Sequence, residues 1–122
     1  MDGLEGTRSE AESAASLADA PERPLRCFAC GHAVTTSAHA IDVDGSHVHT
    51  RLNPANVVFQ FGCFREAGGC VVNGTPSSEH VWFTGCLWQY AHCGRCGAHL
   101  GWAFSGAMSF FGLVLNRLAR ES

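Results

Sequence analysis

The chain has no lysine: its eight basic side chains are all arginine, set against eleven carboxylates for a formal net charge of −3. Six of the acids (Asp2, Glu5, Glu10, Glu12, Asp19 and Glu22) precede Pro24, so the remainder is close to neutral. A near-neutral domain offers no basic stripe to a phosphate backbone, and nucleic acid is excluded as the expected partner. Long apolar runs are also missing. The longest, such as residues 110–115, fall far short of the ~20 residues that span a bilayer, so no membrane contact is expected. The first residues lack the basic n-region and apolar h-region of an export signal; residues 1–24 are instead Ala/Ser/Glu-rich, with Pro21 and Pro24. They are expected to be a disordered leader on a cytoplasmic protein with one domain over residues 25–120.

Helical periodicity is scarce as well. Only residues 114–120, where Leu115, Leu118 and Ala119 would suit a last turn, and part of the leader fit it. Strand signals fill the rest. Ile41 and Val43 alternate with Asp42 and Asp44, and Gly45-Ser46 then leads into His47-Val48-His49, which predicts a hairpin. Residues 57–64 are rich in β-branched and aromatic side chains, Gly68-Gly69 interrupts them, and Val71-Val72 resumes ahead of an Asn73-Gly74 turn signal. Residues 87–91, 99–104 and 110–115 read as further short strands, so the domain is expected to be all-β.

Cysteine is what the chain has in excess. Seven cysteines without an export signal point to metal or redox chemistry rather than a disulfide framework. Four form two knuckles, Cys27-Phe28-Ala29-Cys30-Gly31 and Cys93-Gly94-Arg95-Cys96-Gly97. Two intervening residues let both sulfurs of a turn aim at one centre, and the following glycine lets the chain turn tightly. Together they make a closed four-cysteine site, expected to hold one structural zinc; all-thiolate coordination also suits iron. A redox dithiol is the alternative. Because 62 residues separate Cys30 from Cys93, the metal is expected to clip together distant parts of a sheet structure. His32, His92 and His99 flank the knuckles and are expected beside the metal or at the surface, since the cysteine set is complete. Cys63, Cys70 and Cys86 are expected to be small buried apolar residues.

All three tryptophans, Trp82, Trp88 and Trp102, fall in one 21-residue window around the second knuckle. Phe104 lies two residues beyond Trp102, on the same face of a strand. Such rings either form a packed core or wall an open aromatic cage, and composition alone leaves both open.

The run Glu79-His80-Val81-Trp82-Phe83-Thr84-Gly85, with Trp88, the second knuckle, His99-Leu100-Gly101-Trp102-Ala103-Phe104 and Phe111-Gly112-Leu113, resembles the thalidomide-binding (CULT) domain of cereblon. It also resembles the single-domain bacterial cereblon homologues, which carry a pair like Asn53-Pro54. The resemblance runs from about Cys27 to Leu118. It implies a β-tent: two antiparallel sheets pinned at the apex by the zinc site of the four cysteines. It further implies a pocket that binds glutarimide-like cyclic imides, with thalidomide-type ligands and cyclic-imide-modified protein C-termini as candidate occupants. Carried over by position, Trp82, Trp88 and Trp102 are the walls and Phe104 the base. His80 supplies its carbonyl and ring nitrogen, Trp82 its backbone N–H, and Asn53 and Phe59 lie at the mouth. Thr84 and Cys86 stand where eukaryotic members commonly have Pro and Tyr. The chain has no room for cereblon's substrate-adaptor part, so a monomer outside any ubiquitin-ligase assembly is expected.

Three other functions compete. The second knuckle with His99 also resembles a B-type methionine sulfoxide reductase, a tent-fold enzyme, but its chemistry needs a nucleophilic cysteine near the C-terminus and none follows Cys96. A zinc deaminase would need a His-x-Glu partner that the chain lacks. An aromatic cage for a methylated ammonium remains, with Glu79 as the nearby countercharge. A binding module rather than an enzyme is therefore expected.

Overall fold

The structure, a computed structural model, describes residues 23–120; residues 1–22 of the expected leader, with any helix in it, lie outside the described residues. The described chain forms two antiparallel sheets and no α-helix, as the all-β expectation requires. The smaller sheet contains β1 (Pro24–Cys27), β2 (Ala33–Thr36) and the last strand, β9 (Leu118–Arg120), in the order β9-β1-β2. The larger contains β3 (Val48–Leu52), β4 (Val58–Phe64), β5 (Cys70–Ser77), β6 (Cys86–Cys93), β7 (His99–Gly106) and β8 (Phe110–Val114), in the order β3-β4-β8-β7-β6-β5.

Period-2 alternation gives the larger sheet two apolar faces. Leu100, Leu113, Phe64 and Cys93 pack toward Leu25, Cys27 and Val34 of the smaller sheet. On the opposite face Phe61, Cys63, Trp102, Phe104, Phe110 and Val114 pack with Phe83, which comes from the β5–β6 connection, and with Val43. One side of the sheet is thus closed by the smaller sheet and the other by loops. The loop-covered side carries most of the aromatic residues.

Two glycines let strands and rings approach closely there. A methyl group at Gly112 would come within 2.8 Å of Phe61 and 3.0 Å of Phe104, so the absent side chain is what lets those rings lie over the sheet. One at Gly101 would overlap the Gly112 carbonyl oxygen and stand 2.9 Å from Leu113 Cα, backbone atoms of the paired strand β8 that cannot swing aside. Gly101→Ala is therefore expected to lower stability by about 3 kcal/mol, read as a drop in the denaturant midpoint. An unchanged midpoint would mean that β7 and β8 are less tightly registered.

Three local expectations are corrected. Asp44 (φ 52) and Gly45 (φ 87) do turn the chain, with Val43 and Ser46 bridged, but no hairpin ladder grows from the turn. β4 takes the hydrogen bonds on both sides of it: Ile41 N donates to Cys63 O and Cys63 N donates to His47 O, each at 3.0 Å. Asn73-Gly74 is not a turn but lies inside β5, where the register slips between Asn73 and Ser77. The side chains of β6 stabilise this irregularity: Gln89 Nε2 donates to Gly74 O at 2.8 Å, and His92 Nδ1 lies 2.9 Å from Asn73 Oδ1. Residues 114–120 form one 3-10 turn, Leu115–Arg117, and then β9 rather than a helix. A helix of seven residues is shorter than the nucleation cost allows, whereas β9 finds a ready partner in the edge of β1.

Candidate functional site

Two knuckles of the same backbone design meet between the sheets. In each, the N–H of the first cysteine donates to the carbonyl five residues on (Cys27 to His32, Cys93 to Ala98, both 2.8 Å). The glycine four residues on donates back, Gly31 N to Cys27 O at 2.8 Å and Gly97 N to Cys93 O at 2.9 Å. Gly31 and Gly97 have φ of 79° and 82°, the left-handed region in which a side chain would be strained. Cys27 ends β1 and Cys93 ends β6, so the two knuckles bring the sheets together.

The four sulfurs lie within 4.8 Å of one another, with Cys27 to Cys96 at 3.7 Å and Cys30 to Cys93 at 3.6 Å. A tetrahedron with metal–sulfur bonds of ~2.3 Å has edges of ~3.8 Å. The cysteines are therefore positioned to hold one metal ion, with a geometry that fits zinc and leaves no ligand position open. Burial opposes ionisation of Cys93, but the N–H groups of Cys96 and Arg95 and the thiols of Cys30 and Cys96 outweigh it, holding that thiol down to about 7. This sulfur is ready to lose its proton to a metal.

None of His32, His92 and His99 joins the cluster. Cys63 and Cys86 are buried in the core on the loop-covered face, where burial pushes the Cys63 thiol up to about 12. Cys70 is only half-buried and lies beside the four-cysteine cluster; burial, then the neighbouring Cys93 and Cys27, push it up to about 11.

The second site lies on the loop-covered face of the larger sheet and is a cavity of about 440 Å³. All seven residues expected at a ligand pocket line it: Asn53, Phe59, His80, Trp82, Trp88, Trp102 and Phe104. Two cross-strand pairs of β6 and β7, Trp88 with Phe104 and Tyr90 with Trp102, lie on this face. Trp82 stands edge to face against Trp102 (5.0 Å, 84°) and stacks on Phe61 (5.4 Å, 16°). Phe59 of β4 meets Trp102 edge-on at 5.1 Å. Trp102 is 8% exposed and Phe104 3%, whereas Trp82 and Trp88 are half-buried. The tryptophans are thus neither all core nor all cage.

Hydrogen bonds fix the half-buried rings to the rim. Trp82 Nε1 donates to Leu52 O at 3.1 Å and Trp88 Nε1 to Glu79 O at 2.8 Å. Next to Glu79, His80 has φ 54, an uncommon conformation for a residue with a side chain. The Trp82 backbone N–H and the His80 carbonyl have no hydrogen-bond partner among the described residues. Asn53 also staples its own loop: its Oδ1 accepts from Ala55 N and Val57 N, both at 2.9 Å. Thr84 is exposed and Cys86 is buried in the core, and neither lines the cavity.

Glu79, named from the sequence only as a countercharge for a cationic ligand, also lines the cavity, as do Tyr90 and His99, to which the sequence reading did not point. Tyr90 was findable, two residues after Trp88 on one strand. His99 was not, because it lies three residues from Trp102 and a regular strand would put it on the other face. A register shift between Ala91 and His92 makes His99 the partner of His92 and brings its ring to 5.3 Å from Trp102. Burial holds its pKa below the ordinary histidine value; the Gly101 carbonyl, 2.9 Å from Nε2, opposes this less strongly, and Arg117 and His92 reinforce it. With Arg117 Nη1 3.3 Å from Nδ1, the ring is a neutral one that donates to Gly101 O and accepts from Arg117.

Fold and site together define a class: an all-β domain of two antiparallel sheets, joined by four cysteines positioned to hold a metal ion, with an aromatic cavity on the larger sheet. Within that class the chain is similar to cereblon over part of its length. It is 33% identical over 73 residues to Protein cereblon of Gallus gallus, which covers 55% of this chain and 16% of that protein. The figures for Protein cereblon of Danio rerio are 33% over 73 residues, 55% and 17%. The match therefore spans about a sixth of the length of these curated relatives. No family model matches the chain. The similarity is consistent with a CULT-like domain, as the motifs around the tryptophans imply.

Proposed function

We propose that the chain is a small-molecule-binding module that takes glutarimide-like cyclic imides into the three-tryptophan cavity, with one structural zinc as its only cofactor. The supporting observation is an aromatic cavity of about 440 Å³ lined by His80 and Trp82, whose carbonyl and backbone N–H respectively have no hydrogen-bond partner among the described residues. A cyclic imide presents acceptor, donor and acceptor along one flat edge, and its methylenes are apolar. The His80 carbonyl would accept the imide N–H, the Trp82 N–H would donate to one imide oxygen, and the His80 ring would serve the other. The rings would desolvate the remainder. Cyclic imides formed at protein C-termini are natural occupants of the same chemistry.

Protein partners other than such a terminus, and a ubiquitin-ligase assembly, are outside this proposal. We take the module to be monomeric and cytoplasmic, where thiolates stay reduced for the metal. Among the described residues no helix is long and apolar enough to cross a membrane. The reading is of a binder rather than an enzyme: four thiolates would leave the metal no open position, and no cysteine follows Cys96 to act as a reductase nucleophile.

A methylated ammonium is the competing occupant, with Glu79 on the cavity lining as countercharge. Titration of tryptophan fluorescence with glutarimide and, separately, with trimethyllysine distinguishes them. The expected result is saturable quenching by the imide and none by the cation. Quenching by the cation alone would replace the imide reading with the ammonium one.

A further inference from the structure

Cys70 has no part in the four-sulfur cluster, yet it stands opposite one of its members. In the ladder between β5 and β6, Cys70 and Cys93 are register partners, and residues directly opposite in an antiparallel pair project on the same face. Neither donates its N–H to the other: Cys70 N donates to Ala67 O at 3.0 Å and Cys93 N to Ala98 O at 2.8 Å. They therefore form a non-hydrogen-bonded pair, the closer kind, with Cα atoms ~4.5 Å apart. A disulfide needs a Cα separation of ~4.4–6.8 Å, so the sheet holds these two backbones at bridging distance. Both side chains pack in the core cluster between the sheets, and Cys70 is half-buried rather than sealed. Cys63 and Cys86 lie in the other cluster and are at most 2% exposed.

From this the geometry points to Cys70 and Cys93 as an oxidative modification site, at which a hydroperoxide joins them in a disulfide and removes Cys93 from the metal's donor set. The sulfur of Cys93 attacks the O–O bond; an S–O bond forms, the O–O bond breaks, and the leaving oxygen departs protonated as water. The sulfur of Cys70 then attacks that of Cys93; the S–S bond forms, the S–O bond breaks, and a second water leaves. Counted from the thiols, two sulfurs give up two electrons and two protons while one hydrogen peroxide becomes two waters. Cys30 and Cys93, 3.6 Å apart, are the other route to a disulfide. With metal bound both of those sulfurs are coordinated, whereas Cys70 stays outside the donor set and is free to attack.

The test treats the metal-loaded full chain with hydrogen peroxide and follows metal release with a chromogenic chelator, intact mass, and mapping of linked peptides. Metal release is expected to accompany a species about 2 Da lighter, in which Cys70 is linked to Cys93 and from which a thiol reductant restores the starting mass. In Cys70→Ser that linkage is absent, and Cys93 instead gains oxygen, about 16 Da per step. Peptides linked only among Cys27, Cys30, Cys93 and Cys96, or no oxygen gained by Cys93 in Cys70→Ser, would overturn the assignment. Mapping on the unsubstituted chain decides the matter even if Cys70→Ser folds poorly.

Discussion

Cys96→Ser is expected to unfold the domain and abolish its metal content. Cys96 is exposed and lies in a turn, so serine at this position removes nothing from the core. Any loss of structure must come through coordination. The metal site closes a loop of 62 residues between Cys30 and Cys93, at a cost on the order of 4 kcal/mol in chain entropy. A structural zinc site typically contributes ~10–16 kcal/mol, which outweighs that cost, while a whole domain is stable by only ~5–15 kcal/mol. The three-stranded sheet depends on it most, because Cys27 and Cys93 themselves belong to the core cluster that joins the two sheets. Circular dichroism and metal analysis of the purified variant provide the check. A variant that stays folded and metal-free would show that packing alone holds the sheets together.

Trp88→Ala is expected to weaken imide binding by about 100-fold or more while leaving metal content unchanged. Trp88 is half-buried, its ring contacts Tyr90 at 5.1 Å, and its indole N–H holds the Glu79 carbonyl next to the strained His80. Truncation removes a wall and also releases the rim that carries the polar edge, so two contributions to affinity are lost together. Trp102→Ala is a poorer probe. That ring is 8% exposed and meets Phe59, Trp82 and His99, so its removal is expected to cost about 3–5 kcal/mol of stability in addition to binding. Calorimetric titration of Trp88→Ala with glutarimide, beside metal analysis, separates the outcomes. Binding retained would remove Trp88 from the site; metal lost along with binding would make it a core residue.

Much of the metal site was legible because its information is local. A Cys-x-x-Cys-Gly turn sets its own sulfur geometry, and the backbone pattern repeats in both knuckles down to the left-handed glycine. Strand positions in β6, β7 and β8 were equally legible from β-branched and aromatic runs. The failures all involve competition between distant partners. The Asp44-Gly45 turn formed, but β4 took the hydrogen bonds that a hairpin would have used. Asn73-Gly74 has the composition of a turn, yet the side chains of Gln89 and His92 hold it inside a strand. Residues 114–120 had an acceptable helical pattern and went to the edge of β1 instead.

The four cysteines and the all-β composition were determined by the sequence alone, since covalent spacing within a turn and side-chain alternation along a strand need no partner to be defined. Tertiary structure decided how the tryptophans divide, with Trp102 sealed against the sheet and Trp82 and Trp88 left half open. It also decided that His99 faces the cavity and that Cys70 stands opposite Cys93. Each of these depends on the register between two strands, and register is set by which groups across the sheet win the hydrogen bonds and the packing, a contest that no single segment records.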